Sequence, residues 1–202
     1  MIKLFARLFG GLSASRVELH DSGTCPDCGS QLARESEGAS GWHCPNPDCP
    51  PRLLKRVALW ASPEAMDIQG CDEAMIRQLV NKGLVHDAAE FYRLKLSEIS
   101  ALDSVTKERA QQVFDSITAS LKREAWRLLF GLGIPNLGAS EARALCEHFA
   151  SLDAVFASGR ERLAKVQGVS DLTARSLTQW YGDPVNRKLV RRLEKIGLNF
   201  KC

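Results

Sequence analysis

From Arg52 onward, apolar positions recur at spacings of three and four along RLLKRVALW, EAMIRQLVNKG, AAEFYRLK, KERAQQVFDSITASLKREAWRLLFGLG, SEARALCEHFA, RERLAKV, LTARSLTQWY and VNRKLVRRLEKIG. That period predicts amphipathic helices. Glycine and proline punctuate the runs at intervals of roughly twenty residues, and the joints are short, so successive helices must turn back on one another. Ahead of Arg52 the pattern changes twice. In MIKLFARLFGGL, Ile2, Leu4, Phe5, Leu8 and Phe9 surround Lys3 and Arg7 before a Gly10-Gly11 stop, which predicts an amphipathic helix and a linker over residues 1–24. One helix with two cations suits packing or self-association through residues 1–12 better than a membrane contact. Residues 25–50 instead mix cysteine with Pro, Gly, Asp and Asn, a turn-rich composition that needs a staple.

The joints between helices repeat at about 30 residues: Ile68-Gln69-Gly70-Cys71-Asp72, Leu102-Asp103-Ser104-Val105-Thr106, Pro135-Asn136-Leu137-Gly138 and Val166-Gln167-Gly168-Val169-Ser170. Each leads into a helical run, so the unit reads as helix, tight hairpin, helix. The predicted fold is mainly α: a zinc finger with its adjoining helix over 25–60, then four such units over 61–202, in halves 61–120 and 121–202.

Composition adds little, but the distribution of charge matters. The chain of 202 residues carries a formal net charge of +3, and residues 61–120 sum to −4 while residues 121–202 sum to +6. An anion would be drawn to the last third. No run of about 18 apolar residues occurs and no standard signal peptide is visible, so a cytoplasmic protein is expected.

Seven cysteines are present, four of them as C-x2-C and C-x4-C pairs: Cys25, Cys28, Cys44 and Cys49. Two knuckles presenting four thiolates suit one tetrahedral zinc ion and leave no open coordination position, so the expected role is structural. Cys71, Cys146 and Cys202 stand apart. His43, beside Cys44, is not needed as a ligand. The four histidines share no motif, and no catalytic residue is assigned.

A hairpin of the apolar-x-Gly-apolar-Gly type lets the backbone approach a phosphate while the next helix points its free N–H groups at the same anion. Such contacts hold the DNA backbone without reading sequence. The order CPDCGSQL, CPNPDCP, AMDIQG, LLFGLGIPNLG, LAKVQGV and WYGDPVNRKL resembles the zinc finger and tandem helix-hairpin-helix part, C-terminal in that family, of bacterial NAD-dependent DNA ligase. The resemblance covers residues 25 to about 200, and it implies binding of duplex DNA, nicked duplex included, in repair or replication. It also implies what is missing. No Asp-Gly dipeptide occurs, hence no Lys-x-Asp-Gly adenylylation motif; no OB-fold or BRCT segment is expected beyond a nine-residue echo in SASRVELHD. Neither NAD binding nor nick sealing by this chain alone is expected, and a separate catalytic protein would supply the chemistry.

The hairpins depart from the family pattern in a consistent direction. Asp72, Thr106 and Ser170 stand where a second glycine is expected, and all three are helix-capping residues that compete with phosphate for the N–H groups. The third hairpin keeps Gly138 after Asn136; the fourth keeps Gly168, with a Ser170 hydroxyl expected to donate. The predicted DNA contacts are therefore Gly138, Gly168, Asn136 and Ser170, with Gly70 from the first hairpin and the cations Lys122, Arg123, Arg143, Lys165 and Arg175. Residues 61–120 are expected to act mainly in packing. The cation run of Arg187, Lys188, Arg191, Arg192 and Lys195 reads as a solvated helix face or as an edge tracking phosphates. Trp42, Trp60, Trp126 and Trp180 are expected in cores. The competing functions are a DNA-gripping module, a non-catalytic ligase fragment or subunit, and an interaction protein that has lost DNA.

Overall fold

The structure, a computed structural model, describes residues 23–34, 42–46 and 48–202; the predicted helix over 1–12, most of its linker and all of SASRVELHD lie outside them. The chain is mainly helical and separates into two compact units at Pro50/Pro51. In the first unit, β1 (Ala33–Arg34) and β2 (Trp42–His43) pair antiparallel, with Ala33 opposite His43 and Arg34 opposite Trp42. An isolated bridge joins Thr24 and Gln31. Strands this short cannot enclose an indole, and Trp42 is 42% exposed, against the expectation of a core position. Trp60 is fully buried, and Trp126 and Trp180 are half-buried against the helical core.

The second unit begins with α1 (Pro50–Ala61), whose two leading prolines suit a first turn that needs no N–H partner. Its buried Leu53, Val57, Trp60 and Ala61 recur at helical spacing and join the core of the helical unit. The helix therefore belongs with the hairpin units, whereas the sequence boundary at residue 60 grouped it with the cysteines. Beyond it come α2 (Glu73–Asn81), a 3-10 turn (Ala88–Arg93), α3 (Leu96–Ser100), α4 (Lys107–Ser120), α5 (Ala125–Gly131), α6 (Ala139–His148), α7 (Leu152–Phe156), α8 (Arg160–Leu163), α9 (Asp171–Gly182) and α10 (Pro184–Ile196). One hydrophobic core runs through them from Leu53 to Phe200.

The run predicted as one helix over 107–133 is broken. No glycine or proline marks the break between α4 and α5; long-range bonds do. Asn199 donates its backbone N–H to Leu121 O at 3.1 Å and its side-chain amide to Arg123 O at 3.2 Å, taking carbonyls that a continuous helix would use itself. The predicted helix at 88–95 is a 3-10 turn instead, fixed by the Asp87 carboxylate accepting from Ala89 N and Glu90 N. The one-turn helices α3 and α7 are too short to show a period.

Candidate metal centre and nucleic-acid interface

The sulfurs of Cys25, Cys28, Cys44 and Cys49 all lie within 4.8 Å of one another. Cys25 and Cys49 Sγ are 3.7 Å apart and Cys28 and Cys44 Sγ 3.4 Å apart. A tetrahedral ion with bonds of about 2.3 Å needs edges of about 3.8 Å, so the donor set fits zinc. Backbone turns deliver the ligands. Cys25 N donates to Ser30 O and Gly29 N to Cys25 O, both at 2.8 Å, with Gly29 left-handed at φ 70°. In the second knuckle the Asn46 side chain accepts from Asp48 N at 2.9 Å, a turn made locally by an Asx side chain. Hydrogen bonding with the Ser30 hydroxyl and backbone N–H pulls the Cys28 thiol down to about 6, toward the thiolate that a metal requires. Burial pushes Cys44 and Cys49 up, so those two thiols depend on the ion to stay ionised. These four cysteines form the structural zinc site, and their closed shell assigns the metal a staple's role.

All four joints adopt one backbone shape. A left-handed residue precedes each helix N-cap by two positions: Gly70 (φ 81°), Ser104 (φ 60°), Asn136 (φ 59°) and Gly168 (φ 85°). The N-caps are Asp72, Thr106, Gly138 and Ser170, which start α2, α4, α6 and α9. Ile68, Leu102, Ile134 and Val166, two residues before each left-handed position, are buried and anchor the hairpins. At 104 and 136 the same conformation carries a side chain; serine and asparagine are short enough to be held there by the surroundings of the turn.

Those surroundings are a partner hairpin, seated reciprocally. Arg109, three residues past its N-cap, donates from Nε and Nη2 to Gly70 O at 3.1 and 2.9 Å, and Thr173, in the same place on α9, donates its hydroxyl to Asn136 O at 2.8 Å. The sixth residue after each N-cap also meets the partner turn. Gln78 accepts from Asp103 N at 2.7 Å and donates to its carbonyl at 3.0 Å, while Asn136 Nδ2 donates to Ser176 Oγ at 2.9 Å. A Cβ built on Gly70 would lie 3.6 Å from the Gln112 amide, and one on Gly168 would lie 3.8 Å from Ala144. The four hairpins thus form two couples, first with second and third with fourth. None of these clasping residues was singled out from the sequence, although their shared offsets of three and six from the caps are visible there.

The couples differ in what they offer an anion. In the first, Asp72 caps Met75 N at 2.9 Å and pairs with Arg109 at 2.5 Å, and Thr106 caps Arg109 N at 3.2 Å. Burial raises the Asp72 carboxyl, but the Met75 N–H and Arg109 outweigh it and hold the group below its ordinary value. A depressed carboxyl contributes stability in full above its unfolded pKa of about 3.9 and loses it as pH falls through the folded value. The melting temperatures of wild type and Asp72→Asn are therefore expected to converge on acidification below pH ~4; a gap that stays constant from neutral pH to pH ~3 would refute this role for the carboxylate.

In the second couple, Gly138 caps α6 with no side chain, and its own N–H donates to Glu141 Oε2 at 3.1 Å. The expected free donor at Ser170 is not found. The Thr173 hydroxyl gives its proton to Asn136 O, so the 2.8 Å contact between the two hydroxyls uses the Ser170 proton, and Ser170 Oγ accepts from Thr173 N at 3.0 Å. Asp171, the first residue of α9, is paired by both oxygens to Arg160 at 2.8 and 2.5 Å.

The predicted cations divide as well. Arg123 pairs with Asp67 at 2.6 Å, and Arg143 stacks over the Trp126 ring at 3.9 Å. Among the described residues Lys122, Lys165 and Arg175 make no ion pair. On the cation run, Arg187 donates to Gly182 O and Arg192 pairs with Asp87, while Lys188, Arg191 and Lys195 face outward.

The fold and the cysteine cluster define a C4 zinc-finger protein with tandem helix-hairpin-helix motifs. Residues 24–50 match the NAD-dependent DNA ligase C4 zinc finger domain, and residues 127–190 match the helix-hairpin-helix motif. The chain corresponds to the zinc-finger and helix-hairpin-helix region of the NAD-dependent DNA ligases. It is 37% identical over 177 residues to the DNA ligase of Koribacter versatilis, covering 88% of this chain and 26% of that protein. The DNA ligase of Rubrobacter xylanophilus is 37% identical over 176 residues (87% and 26%), and DNA ligase 2 of Deinococcus deserti 36% identical over 175 residues (87% and 25%). The chain thus spans about a quarter of the length of these relatives.

Proposed function

We propose that this chain is a sequence-nonspecific DNA-binding module, acting in repair or replication beside a nucleotidyl-transferring catalytic part carried on the same or a separate polypeptide. The observation that carries this reading is the recurrence of one left-handed hairpin, four times, directly before a helix N-terminus: geometry suited to the phosphate backbone and indifferent to base identity. The second couple does most of the work. There Gly138 leaves the first turn of α6 without a side-chain cap, Gly168 and Asn136 bring backbone close to the surface, and the exposed Lys122, Lys165 and Arg175 make no ion pair among the described residues. Gly70 and Ser170 shape their turns, with Gly70 O held by Arg109 and the Ser170 proton held by Thr173. The zinc finger supplies no chemistry of its own. Among the described residues no helix is long and apolar enough to cross a membrane. A cytoplasmic, nucleoid-associated protein accords with a DNA partner.

A gel shift with nicked duplex over a range of salt tests this. Log affinity is expected to fall linearly with log salt, by about 0.9 per phosphate engaged, and to be the same for unrelated sequences. A flat salt response would favour a protein-interaction role, and strong sequence discrimination would exclude backbone readout.

A further inference from the structure

The chain holds a second sulfur cluster that the zinc site does not use. Cys146 lies on α6, half-buried against the core, and Cys202 is exposed. They are 56 positions apart, yet their sulfurs are 2.7 Å from one another. This proximity is built by the backbone. Asn199 is bonded to Leu121 and Arg123, Leu152 N donates to Phe200 O at 2.9 Å, Ser151 bridges Lys201, and Cys202 N donates to Ala150 O at 3.1 Å. Segment 199–202 is thus laced along the α6–α7 joint and sets Cys202 down on Cys146. The remaining cysteine, Cys71, shows the contrast: it is half-buried with no sulfur beside it among the described residues, and burial pushes its thiol up to about 12.

We propose that Cys146 and Cys202 are a site of reversible oxidative modification, closing to an intramolecular disulfide on reaction with a hydroperoxide and reopening with a thiol reductant. The two thiols have distinct parts. Cys202 is the accessible one, and hydrogen bonding with Cys146 holds its thiol below the ordinary value; Cys146 is pushed up by the same contact and by burial. The Cys202 thiolate attacks one peroxide oxygen, the O–O bond breaks, and a sulfenic acid forms while the other oxygen leaves and takes up a proton as alcohol or water. Cys146 then gives up its proton, its sulfur attacks the Cys202 sulfur, and the S–O bond breaks to release hydroxide, which that proton converts to water. The two thiols lose two electrons and two protons, and the hydroperoxide is reduced. A dithiol reductant reverses the bond by thiol–disulfide exchange. The product is a covalent ring over residues 146–202, enclosing the fourth hairpin and fastening the helix that leaves the third.

The test uses the zinc-loaded chain exposed to graded hydrogen peroxide, then alkylated and mapped by mass spectrometry, with zinc release tracked in parallel by a chromogenic chelator. The expected result is a reducible cross-link between the peptides carrying Cys146 and Cys202 at doses where zinc stays bound. It should come with a melting temperature raised by roughly 5–10 °C, as a closed loop of this size implies. Cys202→Ser, an exposed substitution, should abolish both the cross-link and the shift while melting like the reduced wild type. The proposal is overturned if both cysteines are recovered as alkylated thiols at doses that already discharge zinc, or if the cross-link joins two chains.

Discussion

Chelation is expected to release one zinc per chain and to dissolve the fold of the described residues between 23 and 50, while the far-ultraviolet helical signal barely changes. Among the described residues of that segment, the only buried apolar side chains are Cys25 and Cys49, both metal ligands. Nothing else described there can offset the ordering entropy, and structural zinc in finger peptides contributes roughly 10–16 kcal/mol of folding free energy. The helical unit carries its own core from Leu53 to Phe200 and owes none of it to the ion. A chromogenic zinc assay, circular dichroism and limited proteolysis report the three quantities together. Protease should cut within 23–34 and 42–46 only after zinc has left. Helical signal lost in step with zinc would show instead that the two units fold as one.

Reversing Lys122, Lys165 and Arg175 to Glu together is expected to weaken binding of nicked duplex by roughly 10²–10³-fold at about 0.1 M salt, and to lower the salt slope by about three contacts' worth. Arg77→Glu with Lys82→Glu serves as the control. Those side chains already answer to Glu73 at 2.7 Å and Asp103 at 3.7 Å, on the acidic half of the chain. Arg123 is left out because it is committed to Asp67, so its reversal would disturb the loop before the first hairpin as well as any contact with DNA. Both triple and control variants should melt within a few degrees of wild type, since no buried group is touched. Equal losses in the two would remove the distinction between the halves.

The cysteine ligands and the hairpin joints were legible in the sequence because both are local. Two knuckles, each within a few residues, fix the sulfurs, and each hairpin is written in four or five consecutive positions. What was not legible lies in bonds between distant positions. Arg109 reaches Gly70 across 39 residues, and Asn199 interrupts the helix at 121–124 from 76 residues beyond Arg123. The second hairpin has no glycine, yet its turn is shaped like the others, because Gln78 grips the residue before Ser104 from outside. Ser170 misled for a related reason: its hydroxyl was counted as spare before Thr173 and Asn136 were known to stand next to it.

The reciprocal clasp also sets the smallest piece of this molecule that can be moved or replaced. A lone motif cut out at its loop ends would leave behind the arginine or threonine that secures its carbonyl, so its bend would have to be kept by the five residues of the turn alone. Grafts and chimaeras between relatives should therefore be joined after Ser120 and not between the first and second hairpins or between the third and fourth. Within a couple, a change at the left-handed residue of one turn calls for a matching change six positions into the helix of the other. The unit of this fold is the couple, and serine at 104 and asparagine at 136 hold a left-handed backbone because the neighbouring hairpin supplies restraint that a lone turn would lack.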